Sequence, residues 1–161
     1  MGNIIDFTSA KAEIQENQIA RHMATLTVRK ALEANIALNQ LIVNDKENKF
    51  VFPSVVRIRL ALNLRKLRPV VEEFQKENTE LIKKYGTQVK DKEGNDIEGQ
   101  FQVGVKSENR TKFDDEQKAL VDSDSEVSLS PITDKDLSEN QLSVDLIAAL
   151  YDVGLLVEKD Q

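Results

Sequence analysis

The stretch PSVVRIRLALNLRKLRPVVEEFQKENTELIKKY, residues 53–85, decides the fold, because it reads as one long amphipathic helix with a basic first half. At about 100° per residue, Val56, Leu60, Leu64, Leu67, Val70, Val71, Phe74, Leu81 and Tyr85 fall within a sector of roughly 120°, the width of a core-facing stripe. A lone helix cannot hide such a stripe from water, so another element must pack along it. Pro69 lies inside the pattern and predicts a kink, since it lacks an amide donor and crowds the preceding turn. The stripe keeps its phase across Pro69, which argues for one bent helix over two separate ones. Lys83 and Lys84 suit the negative end of the helix dipole, and Gly86 is a natural stop.

Upstream, a first helix is predicted from a cap at Thr8 or Ser9 to about Asn44. Ile19, Met23, Leu26, Ala34, Ala37 and Leu41 share one face, interrupted by Lys30, while Val28, Leu32, Ile36 and Val43 form a second. Such a helix touches more than one neighbour, within its own chain or exchanged between chains. The polar cluster NDKENKFVFP, ending at Pro53, reads as a short connection, and helices joined this way pack antiparallel.

Downstream, two alternating segments at about 87–92 and 97–105 flank a Gly-Asn turn and predict a β-hairpin. Isolated hairpins are marginal, so EVSLSPI, with Val127, Leu129 and Ile132, is expected to add a third strand. Residues 109–121 predict a short helix with Phe113, Leu120 and Val121 inward. The run LSVDLIAALYDVGLL predicts a last helix with Leu142, Leu146, Ile147 and Leu150 on one side. The expected fold is therefore α+β and predominantly helical: two long helices in an antiparallel hairpin, with a small sheet and two short helices in the C-terminal half. Residues 1–86 form the hairpin with an N-terminal extension and residues 87–161 a small acidic cap, packed together as one domain.

At 161 residues and 40% hydrophobic content, the chain can build one modest core. The absence of cysteine removes disulfides, thiolate metal sites and cysteine nucleophiles from consideration. No apolar run approaches the roughly 18 residues that span a bilayer, and the N-terminus lacks a basic leader, so a soluble, unsecreted chain is expected. Its Met-Gly opening carries Asp6 where the myristoylation signal takes Ser or Thr. The net charge of −6 is unevenly distributed: residues 1–90 carry 15 basic and 10 acidic side chains, giving +5, and residues 91–161 carry 7 and 18, giving −11. Such polarity suits an intramolecular clasp, head-to-tail association, or a basic contact surface beside an acidic one.

His22 is the one histidine and has no nearby carboxylate pair, so a catalytic triad or histidine-rich metal site has little support. The loop Asp91, Glu93, Asn95, Asp96 and Glu98 superficially resembles a calcium loop, but Gly94 comes too early and the terminal glutamate is missing. Asp114, Asp115 and Glu116 are placed in the first turns of the short helix, where negative charge suits its dipole. With no nucleotide-binding glycine loop, no catalytic residue, no metal and no cofactor is expected.

The candidate interface lies on the long helix. Arg57, Arg59, Arg65, Lys66 and Arg68 spread around the apolar stripe, while Ile58, Ala61 and Leu62 form a second apolar patch opposite it. The candidate acidic partner surface is Asp114, Asp115, Asp122 and Asp124.

The succession ALNQLIV, FVFPSVVRIRLALNLRKLRPVVEEFQKENTELIKKYG, the Gly-Asn hairpin, FDDEQKALVDSDSEVSLSPITDKDL and a closing leucine-rich helix resembles a family of small uncharacterised bacteriophage and prophage proteins, over residues 31–150. The strongest part is Ala61–Leu67 (A-x-N-L-R-K-L) with Glu80–Gly86 (E-x-x-K-K-Y-G), followed by the D-x-x-G-N turn at Asp91. The resemblance implies a phage-encoded, non-enzymatic protein of the host cytoplasm or virion, and brings no catalytic residues with it. The expected function is protein–protein interaction in virion structure or assembly, as a homo-oligomer using the surface around Ile58 and Leu62. The alternatives are an inhibitor of a host defence or nucleic-acid-processing complex acting through the acidic half, and a nucleic-acid binder acting through the arginines.

Overall fold

A computed structural model describes residues 25–157 apart from 48, 138, 139 and 141. Helix α1 (Val28–Lys46) begins where the Thr27 hydroxyl accepts the Lys30 amide, so it starts far later than Thr8 or Ser9. The reason is local. The Leu26 amide donates to Val127 O and its carbonyl accepts from the Ser125 amide, while Thr27 forms an antiparallel bridge with Asp124. Residues 25–27 are thereby held extended against 123–127, which fixes the helix start. Ile19 and Met23, with Thr8 and Ser9, lie outside the described residues.

After the connection, α2 (Ser54–Tyr85) runs unbroken through Pro69 and ends at Gly86, whose amide donates to the Ile82 carbonyl. A Cβ at Gly86 would sit 2.4 Å from that carbonyl oxygen, which is why glycine occupies the turn into the hairpin. α1 and α2 pack antiparallel. Ala31, Ala34 and Ala37 are buried on α1, and their small side chains let the two backbones come close. At about 1.5 Å per residue α2 is about 48 Å long against about 28 Å for α1, so its C-terminal half overhangs.

That difference sorts the apolar stripe. Val56, Leu60 and Leu67 are buried, whereas Val71, Phe74, Leu81 and Tyr85, toward the overhang, stay partly exposed. The overhang carries the hairpin of β1 (Thr87–Lys90) and β2 (Asp96–Gln102), in which Thr87 pairs with Gln102 and Gln88 with Phe101, and beside it α3 (Arg110–Asp122) with Phe113 buried.

EVSLSPI does not join this hairpin. Leu129 and Ile132 enter the core against the helices instead, and β3 (Ile132–Thr133) pairs in parallel with β4 (Leu156–Val157). The segment is held on α2 by Asn63, whose Nδ2 donates to Ser130 O at 2.7 Å while Oδ1 accepts the Ser130 amide at 2.8 Å. Asn63 has 0% exposure, and its amide supplies the pairing a neighbouring strand would have supplied. One-turn α4 (Asp134–Leu137) follows, its start closed by Thr133 and Asp136 reciprocally.

The last helix, α5 (Val144–Asp152), is capped by Ser143 and is shorter than LSVDLIAALYDVGLL. Gly154 adopts φ +70° and turns the chain, so Leu155, just before β4, and Leu156, within it, reach the core. One apolar cluster unites α1, the buried start of α2, Leu129, Ile132, Leu137, Leu146, Leu150 and Leu155. Phe50 and Phe52 belong to it as well, with ring centroids 5.6 Å apart, although they lie in what reads as a polar connection.

Replacing Asn63 with Ala removes both bonds to Ser130 and leaves its backbone polar groups unpaired. The expected cost is about 2–3 kcal/mol, read as a lower urea midpoint, and Asn63→Leu is expected not to restore it despite similar volume.

Candidate interaction surface

The patch opposite the α2 stripe is on the surface: Ile58 is 59% and Leu62 50% exposed. Val55 and Val51, both exposed, extend it toward the connection, although they were not among the residues picked out from the sequence. Their signal was the alternation around Pro53, where Phe50 and Phe52 turn inward and Val51 therefore turns out.

The structure separates the five basic residues into two groups. Arg57 grips the Asp45 carboxylate with two nitrogens, Nε at 2.9 Å and a terminal nitrogen at 2.8 Å, and this pairing holds its pKa above the ordinary range. Arg59 reaches Asp136 at 3.6 Å, and Lys66 donates to Ser128 O at 3.2 Å. Arg65 and Arg68 have no carboxylate partner among the described residues. Arg65 lies three residues beyond Leu62 on the same ridge as Ile58, while Arg68 lines a groove between α1 and α2 with Asn35, Asn39 and Glu72.

The acidic surface is divided in the same way. Asp114 pairs with Arg110 at 2.9 Å and Asp122 with Arg29 at 3.0 Å, leaving Asp115 and Asp124 without an ion pair among the described residues. The Asp114–Glu116 cluster begins at the fifth residue of α3, past the first turn, so complementing the helix dipole does not account for it. Glu116 instead reaches across to α2. It accepts from Lys84 Nζ at 2.8 Å and from the Tyr85 hydroxyl at 2.5 Å. The Lys84 hydrogen bond, then that of Tyr85, lowers the Glu116 pKa, and the same contact with Glu116 raises that of Lys84.

In the loop that resembles a calcium site, Asp91 turns inward and accepts the amides of Glu93 at 2.8 Å and Asn95 at 2.9 Å. The backbone hydrogen bond from Asn95 is the main cause of its lowered pKa. Among the described residues no cluster of three or more His, Asp or Glu is placed to hold a metal ion. His22 lies outside the described residues. A groove of about 330 Å³ between the start of α1, Pro69–Phe74 and the end of α3 is lined by Val28, Val70 and Leu120, with Glu73 and Asp124 among its polar neighbours. No helix among the described residues is long and apolar enough to cross a membrane. No family model matches the chain, and no curated protein or solved structure matches it.

The Glu116 clasp has a definite pH signature. Its carboxyl titrates below the ordinary value of 4.5 when folded, so its contribution is present above that pH and is lost as pH falls through the folded pKa. The Lys84 pKa lies above the ordinary 10.5, so its contribution is present below that pH and is lost as pH rises through the folded value. Thermal melts of Glu116→Gln are expected to lie below wild type across about pH 5 to 10, with the gap closing on acidification below about pH 4.5.

Proposed function

We propose that this is a phage-encoded, non-catalytic interaction protein of the host cytoplasm, engaged in virion structure or assembly, and that it meets a protein partner through the outer face of α2. The observation that carries this reading is the exposure of Ile58 and Leu62 on one ridge, continued by Val55 and ending at Arg65, which has no carboxylate partner among the described residues. Contiguous large apolar side chains left in water mark an interaction site when polar residues rim them. The phage origin rests on the resemblance over residues 31–150.

The chemistry of the face favours protein over nucleic acid. Ile58 and Leu62 gain nothing from phosphates, and Arg57 and Arg59 already face Asp45 and Asp136. The matching partner surface is an apolar patch with a carboxylate placed for Arg65. Inhibition of a host complex through the acidic half has weaker support, because Asp114 and Asp122 are engaged by arginines of the same chain.

The test is capture from prophage-induced cells by the tagged wild-type chain and by Leu62→Asp, with mass spectrometry of what is retained. A capsid, portal or tail protein is expected with wild type and reduced about tenfold or more with the variant, whose melting temperature is expected to change little because Leu62 is 50% exposed and outside the buried core. Equal retention by both chains overturns the assignment of this face.

A further inference from the structure

We propose that a second copy of this chain covers the outer face of α1, helix against helix. Residues 34–44, ANIALNQLIVN, contain no charged side chain in a chain that is 31% charged. Ala34, Ala37, Leu38 and Leu41 of that run are core, while its other side faces water: Ile36 is 61% and Val43 51% exposed, with Asn39 and Gln40 exposed between them. Leu32, Ile36, Asn39 and Val43 follow one another at steps of four, three and four, the spacing of a helix–helix seam.

The polar content of the face argues for a copy of itself as its occupant. An amide side chain both donates and accepts, so its best complement is another amide. Asn39 and Asn44 each spend one Nδ2 hydrogen on a carbonyl of their own helix, both at 2.8 Å, and keep their side-chain oxygens for a partner. From Asn35 to Asn44 the face is made of apolar and amide groups, which are self-complementary and carry no charge to repel a duplicate, as a two-fold interface requires; the nearest charges, Glu33 and Asp145, belong to the groove at one side. The α2 face is different in kind, since two copies would bring their Arg65 side chains together. Beside Ile36, a groove of about 450 Å³ between α1 and α5, lined by Ala37, Gln40 and Ala149 together with the carboxylates of Glu33 and Asp145, offers room for a partner's side chains. From Leu32 to Val43 the seam is about 17 Å long, so the interface is small and of the weak, concentration-dependent kind.

The chain has no cysteine, which makes Ile36→Cys a clean probe. In the full chain at about 50 µM, a short bismaleimide is expected to link Ile36→Cys into a dimer far faster than Lys92→Cys at the hairpin turn. Light scattering is expected to show the mass rising toward a dimer with concentration, returning to monomer in Ile36→Lys/Val43→Lys with the melting temperature kept, and unaffected in Leu62→Asp. That last variant separates this interface from the proposed partner face on α2. A monomer at every concentration overturns the proposal, as does a dimer that survives the double lysine variant. A monomer whose Ile36→Cys thiol is shielded from maleimide also overturns it, in favour of a cover supplied by the same chain.

Discussion

The two hydrogen bonds between Asn63 and Ser130 set the register of everything that follows them in the chain. Without them α2 would present a buried amide to apolar neighbours, at a cost of a few kcal/mol, a large fraction of the roughly 5–15 kcal/mol net margin of a folded domain. With them, Leu129 and Ile132 fall on either side of the gripped residue and enter the core. Ile132 then meets Leu156, and α5 is drawn against α1. Asn140 repeats the device at the other end: its Oδ1 accepts the Val51 amide at 2.6 Å and its Nδ2 donates to Val51 O at 3.1 Å. Phe50 and Phe52 are thereby turned inward together.

Charge organises the same assembly more weakly. The opposite signs of the two halves are expressed within the molecule: Arg29 meets Asp122, Arg59 meets Asp136, Lys84 meets Glu116, and Lys30 meets Asp152. Each pair is exposed to solvent on at least one side, so water and salt screen it and each contributes little by itself. Their collective effect is to favour the arrangement in which the acidic segment folds back along the basic helix. Arg65 and Arg68, which meet no carboxylate among the described residues, stand out because Arg57 and Arg59 beside them do.

Much of the helical framework was legible because periodicity encodes it directly. The end of α2 at Tyr85, the hairpin at Gly94-Asn95 and the burial of Leu146 and Leu150 all follow from local pattern. What failed was long-range. Nothing near Thr8 or Ser9 signals that residues 25–27 are held extended by residues a hundred positions away. Asn63 shows no sign of its role in the sequence, because its partner is a backbone and backbones have no sequence signature. Val127–Ile132 has strand composition, but the hairpin it was matched to stands on the overhang of α2 while Asn63 lies in the buried half. On the surface, Ile58 and Leu62 were visible as a second face. Which arginines are paired within the chain was not, since that depends on where Asp45 and Asp136 arrive.

The two asparagine clamps grip main chain, and main chain is common to all residues but proline, which lacks the amide hydrogen. Tolerance to substitution is therefore lopsided across each contact. Positions 63 and 140 are fixed to one side chain, while positions 130 and 51 present to the clamp only what nearly any residue provides. Sequence drift at Ser130 and Val51 can alter the surface of the protein without disturbing its architecture, and the chain holds its shape at these points through residues that do not look like core.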